Sequence, residues 1–277
     1  MASRRHAEGR VALRVAKQAI ISPRSLRFIP SAGPHMSILS RSARTLALLS
    51  LAALAACNID SPMDPTGGSR LSARKPRPSA TPDPILFVHG WNTNSSTWNT
   101  MISRFKTDGY PDSLLATWSY NYSQSNATTA DEIRLKVDSI LLATGATHVD
   151  IITHSMGTLS ARYYIRHLGG ASKVDAFVSL GGTNHGTNTA YFCGDDSCVE
   201  MRPNSTFVND LNSIDETWGS PRYATWRSPC DEVISPQSSA TLNGATNTLT
   251  ACISHSQLHE DSKVYSQVKS WVLPALP

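Results

Sequence analysis

Short continuous apolar runs alternate, between residues 84 and 180, with longer segments whose apolar positions recur at helical spacing. The runs at 84–88, 114–119, 148–153 and 174–180 read as strands, and the unbroken apolarity of 84–88 suits a strand covered on both faces. The intervening segments 98–106, 129–143 and 156–168 read as helices. In the middle one, Ile133, Val137, Ile140 and Leu141 share a face, Asp131 and Glu132 fall in the expected first turn, and Gly145 follows the end. Past Gly182 the pattern loosens into a polar, Asn-rich stretch from Thr183 to Ser220, expected to run over the functional site as a small cap. Strands are expected again near 223–226 and 249–253. Residues 261–272 close the chain as a helix with Val264, Val268 and Val272 on one side. Strands alternating with helices predict an α/β fold with a mostly parallel sheet of about six strands, helices on both faces, and chemistry at the carboxyl ends of the strands.

One strand end carries an unusual signal. The run Val149-Asp150-Ile151-Ile152 leads into Thr153-His154-Ser155-Met156-Gly157 and then directly into a helical segment. A strand turning sharply into a helix around a serine pushes the hydroxyl into the open, and the small residue two places on lets strand and helix pack closely. Ser155 is therefore the candidate nucleophile. Upstream, the first strand ends in His89-Gly90-Trp91-Asn92, a break whose main-chain N–H groups can face a developing oxyanion. A serine nucleophile needs a base, and the base needs a carboxylate to hold its tautomer; in this chain order the acid comes next and the histidine last. Asp231 follows a strand-like run and is the expected acid, with Glu232 as the alternative. His259, just before the final helix, is the expected general base, with His255 as the alternative. His154 is expected to point away from its neighbour Ser155, His89 to order the oxyanion loop, and His148, His167 and His185 to be structural or solvent-facing. No metal or organic cofactor is required by this chemistry.

Charge and cysteines change the picture at the N-terminus. The chain of 277 residues carries a formal +4. Residues 1–57, however, hold nine Lys or Arg against Glu8 alone, a net +8 that leaves about −4 on residues 58–277. The folded part is therefore not a basic, nucleic-acid-binding domain, and no nucleic-acid partner is expected. Arg41 and Arg44 precede the apolar run Leu46–Ala56, which ends at Cys57. As a helix this run would reach roughly 16 Å, short of the roughly 30 Å hydrocarbon core, so it reads as an export signal rather than a membrane span. Leu54-Ala55-Ala56-Cys57 resembles the bacterial lipobox, which implies lipidation of Cys57 and attachment to the cell envelope. Residues 1–57 are thus expected to be leader, with 1–35 a possible over-extended gene start because Met36 would itself open a signal of normal size. Residues 58–82, rich in Pro, Ser, Gly and Arg, read as a flexible linker, and 83–277 as the catalytic domain. Cys193, Cys198, Cys230 and Cys252 then remain, an even number for an oxidising compartment. The sequence-local pairing is Cys193 with Cys198 and Cys230 with Cys252, and spacing of this kind in an exported chain reads as disulfide rather than metal.

Five stretches together carry a family resemblance. They are Phe87-Val88-His89-Gly90-Trp91, the segment Ile152 to Gly157, Leu180-Gly181-Gly182-Thr183-Asn184-His185-Gly186-Thr187, the turn Ser228-Pro229-Cys230-Asp231, and His259 ahead of Tyr265-Ser266-Gln267-Val268. Residues 84–272 resemble the small secreted bacterial lipases of the lipase class 2 family, within the α/β-hydrolase fold. The resemblance implies a carboxylic ester hydrolase acting on acyl esters or lipids as a monomer, with Ser155, Asp231 and His259 as triad and the amides of Trp91 and Met156 as oxyanion hole. Thr153 stands where many relatives have Ala or Gly, and the stretch from Tyr191 to Ser220 is longer than in the smallest members.

Overall fold

The computed structural model describes residues 82–273. The leader 1–57, the lipidation candidate Cys57 and the linker up to residue 81 lie outside them.

Six strands form one sheet: β1 (Ile85–Val88), β2 (Leu115–Thr117), β3 (Val149–His154), β4 (Val174–Leu180), β5 (Arg222–Arg227) and β6 (Thr246–Leu249). Their order is β2-β1-β3-β4-β5-β6, and every neighbouring pair is parallel. Parallel pairing requires crossovers. These are supplied by α1 (Asn99–Thr107), α2 (Asn126–Thr144) and α3 (Gly157–His167), while α6 (Ser262–Val272) closes the chain. Successive side chains of a strand point to opposite faces, so β1 divides its residues between two cores. Leu86 and Val88 join Ile133 and Val137 of α2 and Leu159 and Tyr164 of α3. Ile85 and Phe87 join Met101 and Phe105 of α1 and Val264, Val268 and Val272 of α6. Phe87 packs against Trp98 at 5.2 Å and against Phe105 at 6.0 Å between ring centroids. All four residues of β1 and all six of β3 are buried, which is why β1 reads as a continuous apolar run and β3 as a largely apolar one.

The sheet order fixes where a site can form. From β1 the chain steps outward to β2, whereas from β3 it proceeds in the opposite direction through β4, β5 and β6. At such a reversal the loops leaving the two adjacent strands diverge and open a crevice at their carboxyl ends. The loop after β1 begins at His89, and the turn after β3 holds Ser155.

Three expectations need correcting. Helix α2 begins at Asn126 rather than 129, because the Ser125 side chain caps it by accepting from the Ala127 amide at 3.2 Å; Asp131 and Glu132 therefore lie beyond the first turn. The negative charge its N-terminus favours comes instead from Glu200, which accepts from the Asn126 amide at 2.6 Å and the Ser125 hydroxyl at 2.6 Å. The last strand is Thr246–Leu249, not 249–253, since the following residues turn back toward β5: the Ile253 amide donates to Ser228 Oγ at 3.1 Å.

The excursion from Thr183 to Ser220 folds as a helical turn, Asn188–Phe192, and the short helices α4 (Asp196–Glu200) and α5 (Thr206–Asn212). Besides Glu200, it is fastened by buried Arg162 of α3, which donates to the carbonyls of Asn184, Leu211 and Glu216 at 3.2, 3.0 and 3.0 Å. Cys193 and Cys198 are bonded within it, and Cys230 with Cys252 elsewhere, the sequence-local pairing. The second bridge closes a separation of 22 residues, worth about 3 kcal/mol on the chain-entropy account. Among the described residues no helix is long and apolar enough to cross a membrane.

Candidate active site

Ser155 is the first residue beyond β3, and its backbone lies in the left-handed region at φ 55°. That conformation strains a residue with a Cβ and survives only where the surroundings enforce it. Here the Ser155 amide donates to the Leu180 carbonyl of β4 at 3.0 Å, and the Ser155 carbonyl accepts from the Thr158 amide at 3.2 Å as α3 begins. The turn is tight enough that two glycines are obligatory. A Cβ on Gly157 would lie 2.3 Å from the His89 carbonyl oxygen, and one on Gly90 would lie 2.8 Å from the Ser155 Cβ. Both glycines let the loop after β1 press against the serine turn. Thr153 is absorbed beneath the turn, where its hydroxyl donates to the Val178 carbonyl at 2.8 Å and meets the Thr158 hydroxyl at 2.8 Å.

The loop after β1 is held by His89. The Tyr120 amide donates to its Nε2 at 3.3 Å, so the proton sits on Nδ1, which donates to the Gly90 carbonyl at 2.9 Å. The Tyr120 ring stacks on the imidazole at 3.9 Å, and the Tyr120 hydroxyl donates to the His89 carbonyl. Burial lowers the pKa of His89, which favours this neutral form. Both ring nitrogens are committed to main chain. The side chain of Trp91 is fixed in turn by donation from Nε1 to Asp195 at 3.0 Å. Neither the Trp91 nor the Met156 amide has an acceptor among the described residues, so both are free to donate to a ligand.

Asp231 lies in the loop after β5 and is buried. Its Oδ1 accepts from the amides of Val233 and Ile234 at 2.9 and 2.8 Å, while its Oδ2 accepts from Nδ1 of His255 at 2.8 Å. The structure therefore joins Asp231 to His255, the alternative histidine, and not to His259. The two histidines are four residues apart on a single helical turn, Ser256–His259, whose N-cap is His255; sequence order alone does not separate them. Main-chain contacts do. The His255 amide donates to Glu232 Oε2 at 3.0 Å, and its carbonyl accepts from Nε2 of His154 at 3.1 Å. The Cys230–Cys252 bond ties the residue before Asp231 to the segment just before His255. His259 instead packs on Trp98 at 6.0 Å and edge-on against His154 at 4.7 Å, with its Nδ1 buried and unpartnered. Glu232, the alternative acid, thus holds the His255 main chain. His154 does the same from the other side; its position next to the serine is legible in the sequence, its contact with His255 is not.

Ser155, His154, His255 and His259 line one cavity of about 360 Å³. The loop after β1 contributes Trp91, the excursion contributes Ala190, Phe192 and Met201, and the loop after β5 contributes Val233. The volume falls in the usual range for small-ligand sites, and the wall is mostly apolar.

A buried serine turn, a carboxylate–imidazole pair and an apolar cavity at a sheet reversal are what esterolysis requires. The lipase (class 2) family model matches residues 82–275. The chain belongs to the class 2 lipase family. Solved structures share its fold at low identity. The mature lipase BlEst2 of Bacillus licheniformis matches with a TM-score of 0.63 at 17% identity, over 72% of this chain and 95% of that one. Lipase B of Aspergillus fumigatus matches at 0.58 and 14%, over 68% of this chain and 51% of that one. Phospholipase PlaB of Legionella pneumophila matches at 0.55 and 14%, over 69% and 57%. The chain thus spans nearly all of the mature Bacillus lipase but little more than half of the other two. Family and fold together make this lipase-family protein a hydrolase of ester bonds.

The histidines set its acid stability. Burial drives the pKa of His154 far down, helped by repulsion from His255 and His259, and burial also lowers that of His259. Each is thus neutral in the folded state at a pH where the unfolded chain already binds a proton. Their contribution to stability is complete above the unfolded histidine value of about 6.5 and is lost as pH falls below it, by up to about 1.4 kcal/mol per pH unit per histidine. Urea unfolding at pH 7.5 and pH 5 should show wild type losing stability in acid, with a smaller loss in His154→Gln; equal losses in both would contradict the assignment.

Proposed function

We propose that the lipase-family chain cleaves carboxylic esters through an acyl-serine intermediate, with Ser155 as nucleophile, His255 as general base and Asp231 as the acid that orients it. The observation carrying this reading is the His255 Nδ1 to Asp231 Oδ2 hydrogen bond of 2.8 Å beside the cavity that Ser155 lines. With its Nδ1 proton donated to Asp231, His255 keeps a lone pair on Nε2, the state a base must hold to take the serine proton. Asp231, kept in place by two main-chain amides, then stabilises the imidazolium. As Ser155 Oγ attacks the acyl carbonyl, its proton passes to His255 and the oxyanion is met by the amides of Trp91 and Met156, each donor commonly worth about 3 kcal/mol of barrier. His255 returns the proton to the departing alkoxide, and water repeats the sequence to free the acid. The apolar wall suits an acyl chain. His259 lines the same cavity as packing, without a proton-transfer role.

We further propose export, with attachment through lipidated Cys57. The basic, apolar leader supports this reading, as does the pairing of Cys193, Cys198, Cys230 and Cys252 into disulfides.

Ser155→Ala and His255→Ala should keep the fold and lose p-nitrophenyl ester turnover by about 10⁴-fold or more in kcat, whereas His259→Ala should stay within about tenfold of wild type, a packing-sized loss. Collapse in His259→Ala with activity retained in His255→Ala would sink the assignment. Incorporation of labelled palmitate during expression should be abolished in Cys57→Ser; incorporation unchanged by that substitution would refute the anchor.

A further inference from the structure

At the opposite end of the sheet from Ser155, the strands begin rather than end, and there three carboxylates converge. Asp83 stands two residues before β1, Asp150 is the second residue of β3, and Asp175 is the second of β4. Because β1 lies beside β3 and β3 beside β4, the register stacks these positions along one edge; the Asp150 amide donates to the Pro84 carbonyl at 2.8 Å. One carboxylate oxygen from each residue lies within 4.8 Å of the others.

The cluster is not balanced by the protein. Asp150 is fully buried; its Oδ1 accepts from the Ala176 amide at 3.0 Å, but its Oδ2 has no partner. Leaving a buried carboxylate oxygen unpaired is costly, so such an atom calls for an explanation. The charged groups facing the cluster are few. Arg222 of β5 donates to Asp175 Oδ2 at 2.6 Å, and the field of His148 also reaches Asp83. One guanidinium, hydrogen-bonded to Asp175 alone, therefore faces three carboxyl groups, and an oxygen-seeking divalent ion would supply the missing positive charge. Calcium binds oxygen ligands at about 2.3–2.6 Å, so ligands on opposite sides of it lie roughly 4.6–5.2 Å apart. A group of oxygens no wider than 4.8 Å can surround an ion of that size, and half-buried Asp83 and Asp175 leave room for water to complete its shell. Burial, first of all, and the neighbouring acids hold the pKa of Asp150 well above the ordinary carboxylate value, the repulsion a cation would relieve.

We propose that Asp83, Asp150 and Asp175 form a binding site for a calcium-sized divalent cation that clamps the starts of β1, β3 and β4. The ion touches neither the cavity nor the triad, so the site stands or falls independently of the ester-hydrolase reading. In this role it links three strands that the ladder and the contact of Asp150 Oδ1 with the Ala176 amide also join at that edge.

The test uses the full chain, stripped with a chelator and titrated with Ca²⁺ at neutral pH by calorimetry and thermal unfolding. A saturable one-site isotherm is expected with a Kd of order 10⁻⁴–10⁻³ M, as in extracellular calcium modules, together with a Tm that rises with Ca²⁺. Asp83→Asn, at a half-buried position, should keep the fold and weaken binding at least tenfold. Asp150→Asn retains an acceptor for the Ala176 amide and should abolish the Tm response. If Asp150→Asn fails to fold, Asp83→Asn alone decides. Absence of both heat and Tm shift in the wild-type chain overturns the proposal, as does undiminished binding in Asp83→Asn.

Discussion

The Asp231 carboxylate is the point on which the site depends, because each of its oxygens does a separate job. Oδ1 takes two main-chain amides of its own loop, and Oδ2 takes the imidazole of His255. A buried carboxylate without such partners would be driven toward its neutral form, and the histidine it faces would lose its tautomer. The fold spends several devices on keeping this contact. The Cys230–Cys252 disulfide joins the two loops, Glu232 holds the His255 amide, and His154 holds its carbonyl. Two side chains thus grip the backbone of one residue, while its ring is left to Asp231 and the cavity.

Ser155, the proposed nucleophile, is held by a different logic. Ser155 is placed by backbone strain, contained between the hydrogen-bonded end of β4 and the start of α3, and it tolerates no side chain at Gly90 or Gly157. The reversal of sheet order between β1 and β3 brings the loop after β1 to the same point. Site and sheet are therefore one structure: the apolar strands that make the two cores also fix the distance between the serine turn and the amides that face it.

What the sequence made legible follows from how each signal is produced. Strands β1, β3 and β4 are buried on both faces and announce themselves as apolar runs, and the serine turn shows because a strand signal runs directly into a helix signal. Edge strand β6, Thr246–Leu249, is largely exposed and carries polar residues, so it offered no such run and was displaced toward Ile253. The first turn of α2 was missed because Ser125 and Asn126 look like loop; Asn126 is in fact buried, bonded to Glu200 from a distant helix and to Ser160. The choice between His255 and His259 rests on contacts to Asp231, Glu232 and His154 that no local pattern encodes. The same holds for Asp83, Asp150 and Asp175, whose convergence exists only once three strands are in register.

The central claim is that the imidazole of residue 255, and not that of 259, shares its proton with Asp231. Proton NMR of the resting protein tests this most directly, since a buried imidazole N–H donated to a carboxylate gives a far-downfield resonance protected from exchange. The account predicts that this signal persists in His259→Gln and vanishes in both His255→Gln and Asp231→Ala. A signal that survives loss of His255 but disappears with His259 would contradict it.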